Sequence, residues 1–171
     1  MLNNSSPSEP GLAPARENAV INAQCYRMDY EVLHGEASAL ARFGSVQLGP
    51  LTICQHHGYG THRSSRGPQH IREDGVEDFI VCLPLHGDMR LQQNGCETRL
   101  APGQFALMTT ARPYCGSIGC GDDADPFSCF QVRVSNQELR ERVPDIDAQC
   151  IRPMPIQRGP RKATKNWRHA K

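Results

Sequence analysis

The sequence predicts a mainly β protein, an all-β sandwich or jelly-roll barrel with one short C-terminal helix. Three observations carry this. Apolar stretches of strand length recur through the chain, separated by Gly, Pro and Asn turns. Asn94-Gly95 and Pro102-Gly103 are tight-turn pairs of the kind that join neighbouring strands. Only the stretch after Ser135 combines a helix start signal with a helix stop.

Taken in order, residues 1–20 are rich in Asn, Ser, Pro and Gly and read as a disordered lead-in. Glu36–Phe43 has high helix propensity, yet it runs into a Gly44–Cys54 stretch whose Gly and β-branched pattern reads as paired strands. Periodicity alone leaves helix open for that first segment. Leu51–Gln55 continues as a strand around the Gly49-Pro50 turn, and His56–Gly60 reads as the start of a polar loop. Thr61–Ser64 alternates in the manner of a short edge strand that is wet on one side.

The centre of the chain is the most legible part. Phe79–Leu85 is a nearly continuous apolar run without charge, which reads as a strand buried on both faces. Asn94-Gly95 then sets a type I′ hairpin, because both central residues need positive φ and these two tolerate it. The register follows: Gln93 opposite Cys96, Leu91 opposite Thr98 and Met89 opposite Leu100 on an apolar face, with Arg90 and Gln92 opposite Arg99 and Glu97 on a polar one. Pro102-Gly103 supplies the next turn, and Phe105–Met108 begins another strand.

Gly116–Phe127 is dense in Gly and Asp and reads as a loop. Phe130–Val134 alternates apolar and polar residues, as a half-buried strand does. Ser135 and Glu138 stand at capping-box spacing, Leu139 and Val143 face the sheet, and Pro144 ends the helix. No 20–50-residue internal repeat occurs.

At 171 residues the chain fits one domain. No run approaches the ~18 apolar residues of a membrane helix, and the N-terminus lacks the basic and apolar regions of a secretory signal, so a cytoplasmic protein without a membrane partner is expected. The eight cysteines are then expected to be reduced. Cys54, Cys82 and Cys129 sit in strand patterns as small apolar residues, and Cys115 and Cys120 read as loop thiols. Charge divides the chain: residues 1–150 carry a balance of −6, whereas residues 151–171 carry +7 and every Lys. Residues 158–171 thus read as a basic, disordered tail and residues 21–157 as the folded domain.

The central strand with "LPLHG" (Leu83–Gly87), the short hairpin, "LAPGQFALM" (Leu100–Met108) and "ARPY" (Ala111–Tyr114) together resemble the N-terminal effector-binding domain of AraC/XylS-type transcription regulators. The similarity continues loosely through Arg42–Ile53 and Phe130–Asp145. It implies a cupin-like jelly-roll barrel that senses a small effector, often a sugar or an aromatic acid, and that mediates dimerisation. In that family a separate domain of two helix-turn-helix units binds DNA. The 27 residues after Pro144, interrupted by three prolines, are too few to form it, so no specific DNA binding by this chain is expected.

The chemistry available favours binding over catalysis. Metal cupins resemble a pattern of His-x-His, then Glu, then a third His after the Pro-Gly turn. Here His56 and His57 are adjacent and point to opposite faces of a strand, and no His lies between His86 and His169. His62 and His70 with Glu73 or Asp74 are the remaining combination. No G-x-S-x-G elbow and no phosphate loop occur. No metal, cofactor or catalytic residue is therefore assigned. A barrel mouth is the preferred ligand site of such folds. Tyr59, His62, Arg63 and Tyr114 are the candidate ligand-binding residues, since a cation and phenols suit a carboxylate or hydroxyl ligand. The sequence is best read as an effector-sensing and dimerisation domain, forming a homodimer or a mixed dimer with an intact regulator. The alternatives are a small cupin enzyme and a non-functional or dominant-negative regulator fragment.

Overall fold

A computed structural model of the chain describes residues 25–34, 42–119 and 126–156. Its strands are β1 (Asp29–His34), β2 (Arg42–Leu48), β3 (Leu51–Tyr59), β4 (Thr61–Arg66), β5 (Phe79–His86), β6 (Met89–Gln93), β7 (Cys96–Leu100), β8 (Gln104–Thr109), β9 (Tyr114–Ile118), β10 (Pro126–Val134) and β11 (Met154–Pro155). Two short helices, α1 (Pro68–Asp74) and α2 (Asn136–Arg142), and a 3₁₀ turn at Ile146–Gln149 complete it. Among these residues no helix is long and apolar enough to cross a membrane.

The strands form two antiparallel sheets, ordered β1-β4-β9-β6-β7 and β11-β8-β5-β10-β3-β2. Packed face to face they make the cupin-like jelly roll expected from the sequence. Period-2 alternation decides what lies between them. One inner face presents Tyr30, His62, Tyr114, Ile118, Met89, Leu91 and Leu100; the other presents Cys54, Ile80, Cys82, Ala106, Met108, Phe127 and Cys129. A second cluster of Phe79, Leu107 and Ile146 lies behind the larger sheet, where Leu139 of α2 and Met154 of β11 cover it.

The hairpin has the expected register, from Met89↔Leu100 to Gln93↔Cys96. Asn94 (φ 54°) and Gly95 (φ 74°) both take the left-handed conformation that a type I′ turn demands. Cys96 alone departs from the apolar face and is exposed. Gln93 is buried, and its amide is satisfied by the backbone N–H (3.0 Å) and carbonyl (2.8 Å) of Thr109, which latches the hairpin of one sheet to the end of β8 in the other.

Several expectations are corrected. His56–Gly60 is not a loop: β3 continues through Tyr59, because β10 pairs with it along its whole length. The strand over residues 61–64 extends to Arg66 and lies inside its sheet, between β1 and β9. Phe79–Leu85 is buried on both faces only over its first half; Leu85 is exposed. Residues 116–118 belong to β9, not to a loop. The capping-box side chains of Ser135 and Glu138 do not bond the backbone, although α2 starts where they predicted; Leu139 packs inward while Val143 is exposed. The described residues hold two helices rather than one. Gly67-Pro68 starts α1, and Gly75 (φ 62°) ends it by donating its N–H to the Ile71 carbonyl at 3.0 Å. The expectations for residues 1–20, for most of 36–43 and for 158–171 fall outside the described residues.

Candidate functional site

The alternation that builds the core leaves a cavity of about 30 Å³ between the sheets. Tyr30, His62, Ser64, Met89, Leu91 and residues 116–118 line it from the first sheet, with Met28 just ahead of β1; His56, Met108, Cys129 and Gln131 line it from the second. No Arg, Lys, Asp or Glu is among the lining residues. A space of this size holds about one or two waters. Anything larger needs the walls to move, and three of the lining side chains are unbranched, adaptable methionines.

The two histidines differ in kind. His62 is fully buried, and both ring nitrogens are engaged. The Tyr59 carbonyl, 2.8 Å from Nε2, can only accept, so Nε2 carries the hydrogen and Nδ1 accepts from the Tyr30 hydroxyl at 2.5 Å. Phe127 packs edge-on at 4.7 Å. Burial pushes the His62 pKa down, against the upward pull of the Tyr59 carbonyl. His62 is thus a neutral pin that joins β4 to β1.

His56 is 5% exposed and packs edge-on against Phe43 at 4.7 Å. Its Nε2 is buried and has no hydrogen-bond partner among the described residues. Burial, helped by the nearby His62, lowers its pKa to about 4, so the ring is neutral near pH 7. An unmatched buried polar atom costs on the order of 1–3 kcal/mol, and this one belongs to a residue that lines the cavity.

Close by is a fully buried cation, Arg66. It donates to both carboxylate oxygens of Asp74 (2.6 and 2.8 Å) and to the carbonyls of Thr110 (2.9 Å), Arg27 (2.5 Å) and Val76 (3.2 Å), and it stacks over the Tyr26 ring at 5.3 Å. Burial raises the Asp74 pKa, but the hydrogen bonds from Arg66 and from the Val76 and Arg27 amides outweigh it and hold the carboxyl at about 2. With every guanidinium donor engaged, this pair is architecture and offers no free charge to a ligand.

Of the four candidate ligand residues, the structure brings only His62 to the cavity wall. Arg63, next in the strand, points the other way; it reaches Cys115 Sγ at 3.2 Å and Glu31 at 3.6 Å in solvent. Tyr59 is 50% exposed and contributes its carbonyl, not its phenol, to His62. Tyr114 is buried and bonds the Tyr26 hydroxyl at 2.9 Å and Met28 Sδ at 3.4 Å, outside the cavity lining. His56, Gln131 and the methionines were missed. The signal for His56 was present: two adjacent histidines in a strand must put one of them inside. Among the described residues no three His, Cys, Asp or Glu side chains assemble as a metal site. Asp74 is committed to Arg66, and the His70 ring accepts from the Gly67 amide and lies 3.5 Å from Asp29.

Known proteins place this geometry in a family. A family model described as an AraC-binding-like domain matches residues 18–167. The transcriptional activator NphR of a Rhodococcus species is 32% identical over 104 residues, 61% of this chain and 29% of that protein, so the chain spans less than a third of that relative. The crystal structure of the AraC-like transcriptional activator CuxR superposes with a TM-score of 0.63 at 17% identity, covering 78% of this chain and 46% of that one, and shares its fold. The cupin domain of Schizosaccharomyces pombe Cnp3 is more distant, with a TM-score of 0.40 at 10% identity over 58% of this chain and 68% of that one. The chain belongs to the AraC-binding-like domain family.

Proposed function

We propose that this chain is the effector-sensing domain of an AraC-type transcription regulator and that its effector is a small neutral molecule held between the two sheets. The observation that carries this is His56 Nε2, a buried polar atom on a cavity wall without a partner among the described residues. The rest of the wall is mainly thioether, thiol and aliphatic; its polar groups are the Ser64 and Ser117 hydroxyls, the Gln131 amide, and Tyr30 and His62, which bond each other. Such a lining suits a largely apolar ligand with one hydrogen-bonding group. It disfavours a carboxylate, because Arg66, the one buried cation among the described residues, is saturated and Arg63 faces solvent. The ligand acts by parting or drawing together the β1–β4 and β3–β10 walls. The reading has no catalytic step. It includes dimerisation in the cytoplasm, with a second copy or with an intact regulator, which sedimentation measures.

A panel of small neutral alcohols, amides and heteroaromatics, screened by thermal shift beside their carboxylate counterparts, tests the proposal. Neutral members are expected to raise the melting temperature of the wild type. His56→Phe, which keeps an aromatic ring but removes both imidazole nitrogens, is expected to weaken their binding about tenfold or more. Equal binding by the variant, or preferential binding of the carboxylates, would overturn the assignment.

A further inference from the structure

Four of the cysteines in and against the core, Cys25, Cys54, Cys82 and Cys129, are not equivalent. Cys82 and Cys129 are buried, and burial pushes the Cys82 thiol up to about 12 and Cys129 higher still, which leaves both unreactive. Cys25 and Cys54 form a pair. Their sulfurs lie 3.0 Å apart although the residues are 29 apart in sequence, and one thiol hydrogen-bonds the other. Both are free thiols. Thr52 and Arg133 line the small cavity beside them, and the Arg133 guanidinium donates to the Cys25 carbonyl at 2.5 Å. Cys25 is part-exposed while Cys54 is buried, so the pair is approached from the Cys25 side.

We propose that Cys25 and Cys54 are a modification site, a dithiol that a hydroperoxide converts reversibly to a disulfide. Closing 3.0 Å to the ~2.05 Å of a bond needs a shift of about 1 Å. Cys54 lies buried 3.0 Å behind and acts as the resolving thiol, and the nucleophile is Cys25, the sulfur that solvent reaches. Its sulfur attacks one peroxide oxygen, the O–O bond breaks, and water or an alcohol leaves with a proton. The Cys54 sulfur then attacks the Cys25 sulfenic acid, the S–O bond breaks, and water leaves with the Cys54 proton. Two electrons pass from the sulfurs to the peroxide. The bridge ties the segment that carries Tyr26, Met28 and Tyr30, at the edge of the first sheet, to β3 of the second. This does not depend on what the larger cavity binds.

The test is titration of the full chain with hydrogen peroxide, followed by alkylation and non-reducing peptide mapping. The expected product is a Cys25–Cys54 disulfide that dithiothreitol reverses and that raises the melting temperature by about 5–10 °C. Cys25→Ser and Cys54→Ser abolish the gain; Cys96→Ser, at an exposed site, keeps it. Alkylation of both Cys25 and Cys54 after exposed Cys96 has been oxidised, or a bridge between other residues, would overturn the proposal. Because the map is read on the wild type, a variant that fails to fold does not obscure the answer.

Discussion

Replacing Asp74 with Ala is expected to destabilise the fold by about 3–5 kcal/mol, close to half the stability of a typical domain of this size. The reason is what it leaves behind. The Arg66 side chain is 0% exposed and that of Asp74 is 13% exposed, so without the carboxylate a guanidinium stays buried among Tyr26 and the carbonyls of Thr110, Arg27 and Val76 with its charge uncompensated. The same carboxylate also accepts from the Arg27 and Val76 amides, so α1, β4 and the segment before β1 loosen together. A double variant, Arg66→Met with Asp74→Leu, is expected to be more stable than Asp74→Ala alone, because it removes both charges. Urea denaturation of the three proteins decides the matter; equal stability of wild type and Asp74→Ala would show that the pair does not hold the core. Its pH signature lies at strong acid. The folded pKa of Asp74 is depressed to about 2, so its contribution is present above the unfolded value of 3.8 and is lost as pH falls towards 2.

A second loss of stability is expected at milder acidity and has a different origin. His56 takes up a proton near pH 6.5 when unfolded but only near 4 when folded. Between those values the unfolded chain binds more protons, so stability falls as pH is lowered from 6.5 and stops falling, for this residue, below about 4. The full effect is on the order of 3 kcal/mol. His62, whose pKa burial also lowers, acts in the same direction. Denaturation curves at pH 7 and pH 4.5 are expected to differ markedly for the wild type and much less for His56→Phe, which retains only the His62 share. Parallel pH dependence in both proteins would mean that His56 is not buried as described.

The parts of this molecule that the sequence reveals are those fixed by local chemistry. Asn94-Gly95 sets a register that every pair from Met89↔Leu100 to Gln93↔Cys96 obeys, because a two-residue turn leaves no alternative. Cys54, Cys82 and Cys129 are buried as strand patterning predicts. What escaped is fixed at a distance. The run His56-His57-Gly58-Tyr59-Gly60 looks like a loop by composition, and it is pairing with β10 through Tyr59, and with β2 at His56 and His57, that makes it strand and turns His56 inward. Arg66 would be placed on the surface by its charge; its burial depends on Asp74, delivered by a seven-residue helix with no buried side chain and so no apolar period to read. In β4 the alternation of His62 and Arg63 was visible, but which of the two faced the interior was not. The polar members of the alternation in β10, Gln131 and Arg133, share the cavity-facing side with Cys129, so apolar patterning pointed to the wrong face there.

The most direct measurement is an NMR titration of the chain labelled at its methionine ε-methyl groups, using a neutral ligand from the thermal-shift panel. Met28, Met89 and Met108 line the cavity, whereas Met154 packs on the outer face of the larger sheet. Ligand binding between the sheets is expected to shift the three cavity resonances, with contacts from ligand protons to their methyls, and to leave Met154 in place. A ligand that shifts Met154 while the three cavity methyls stay unmoved binds elsewhere, and the space between the sheets is then a filled core and not a sensor pocket.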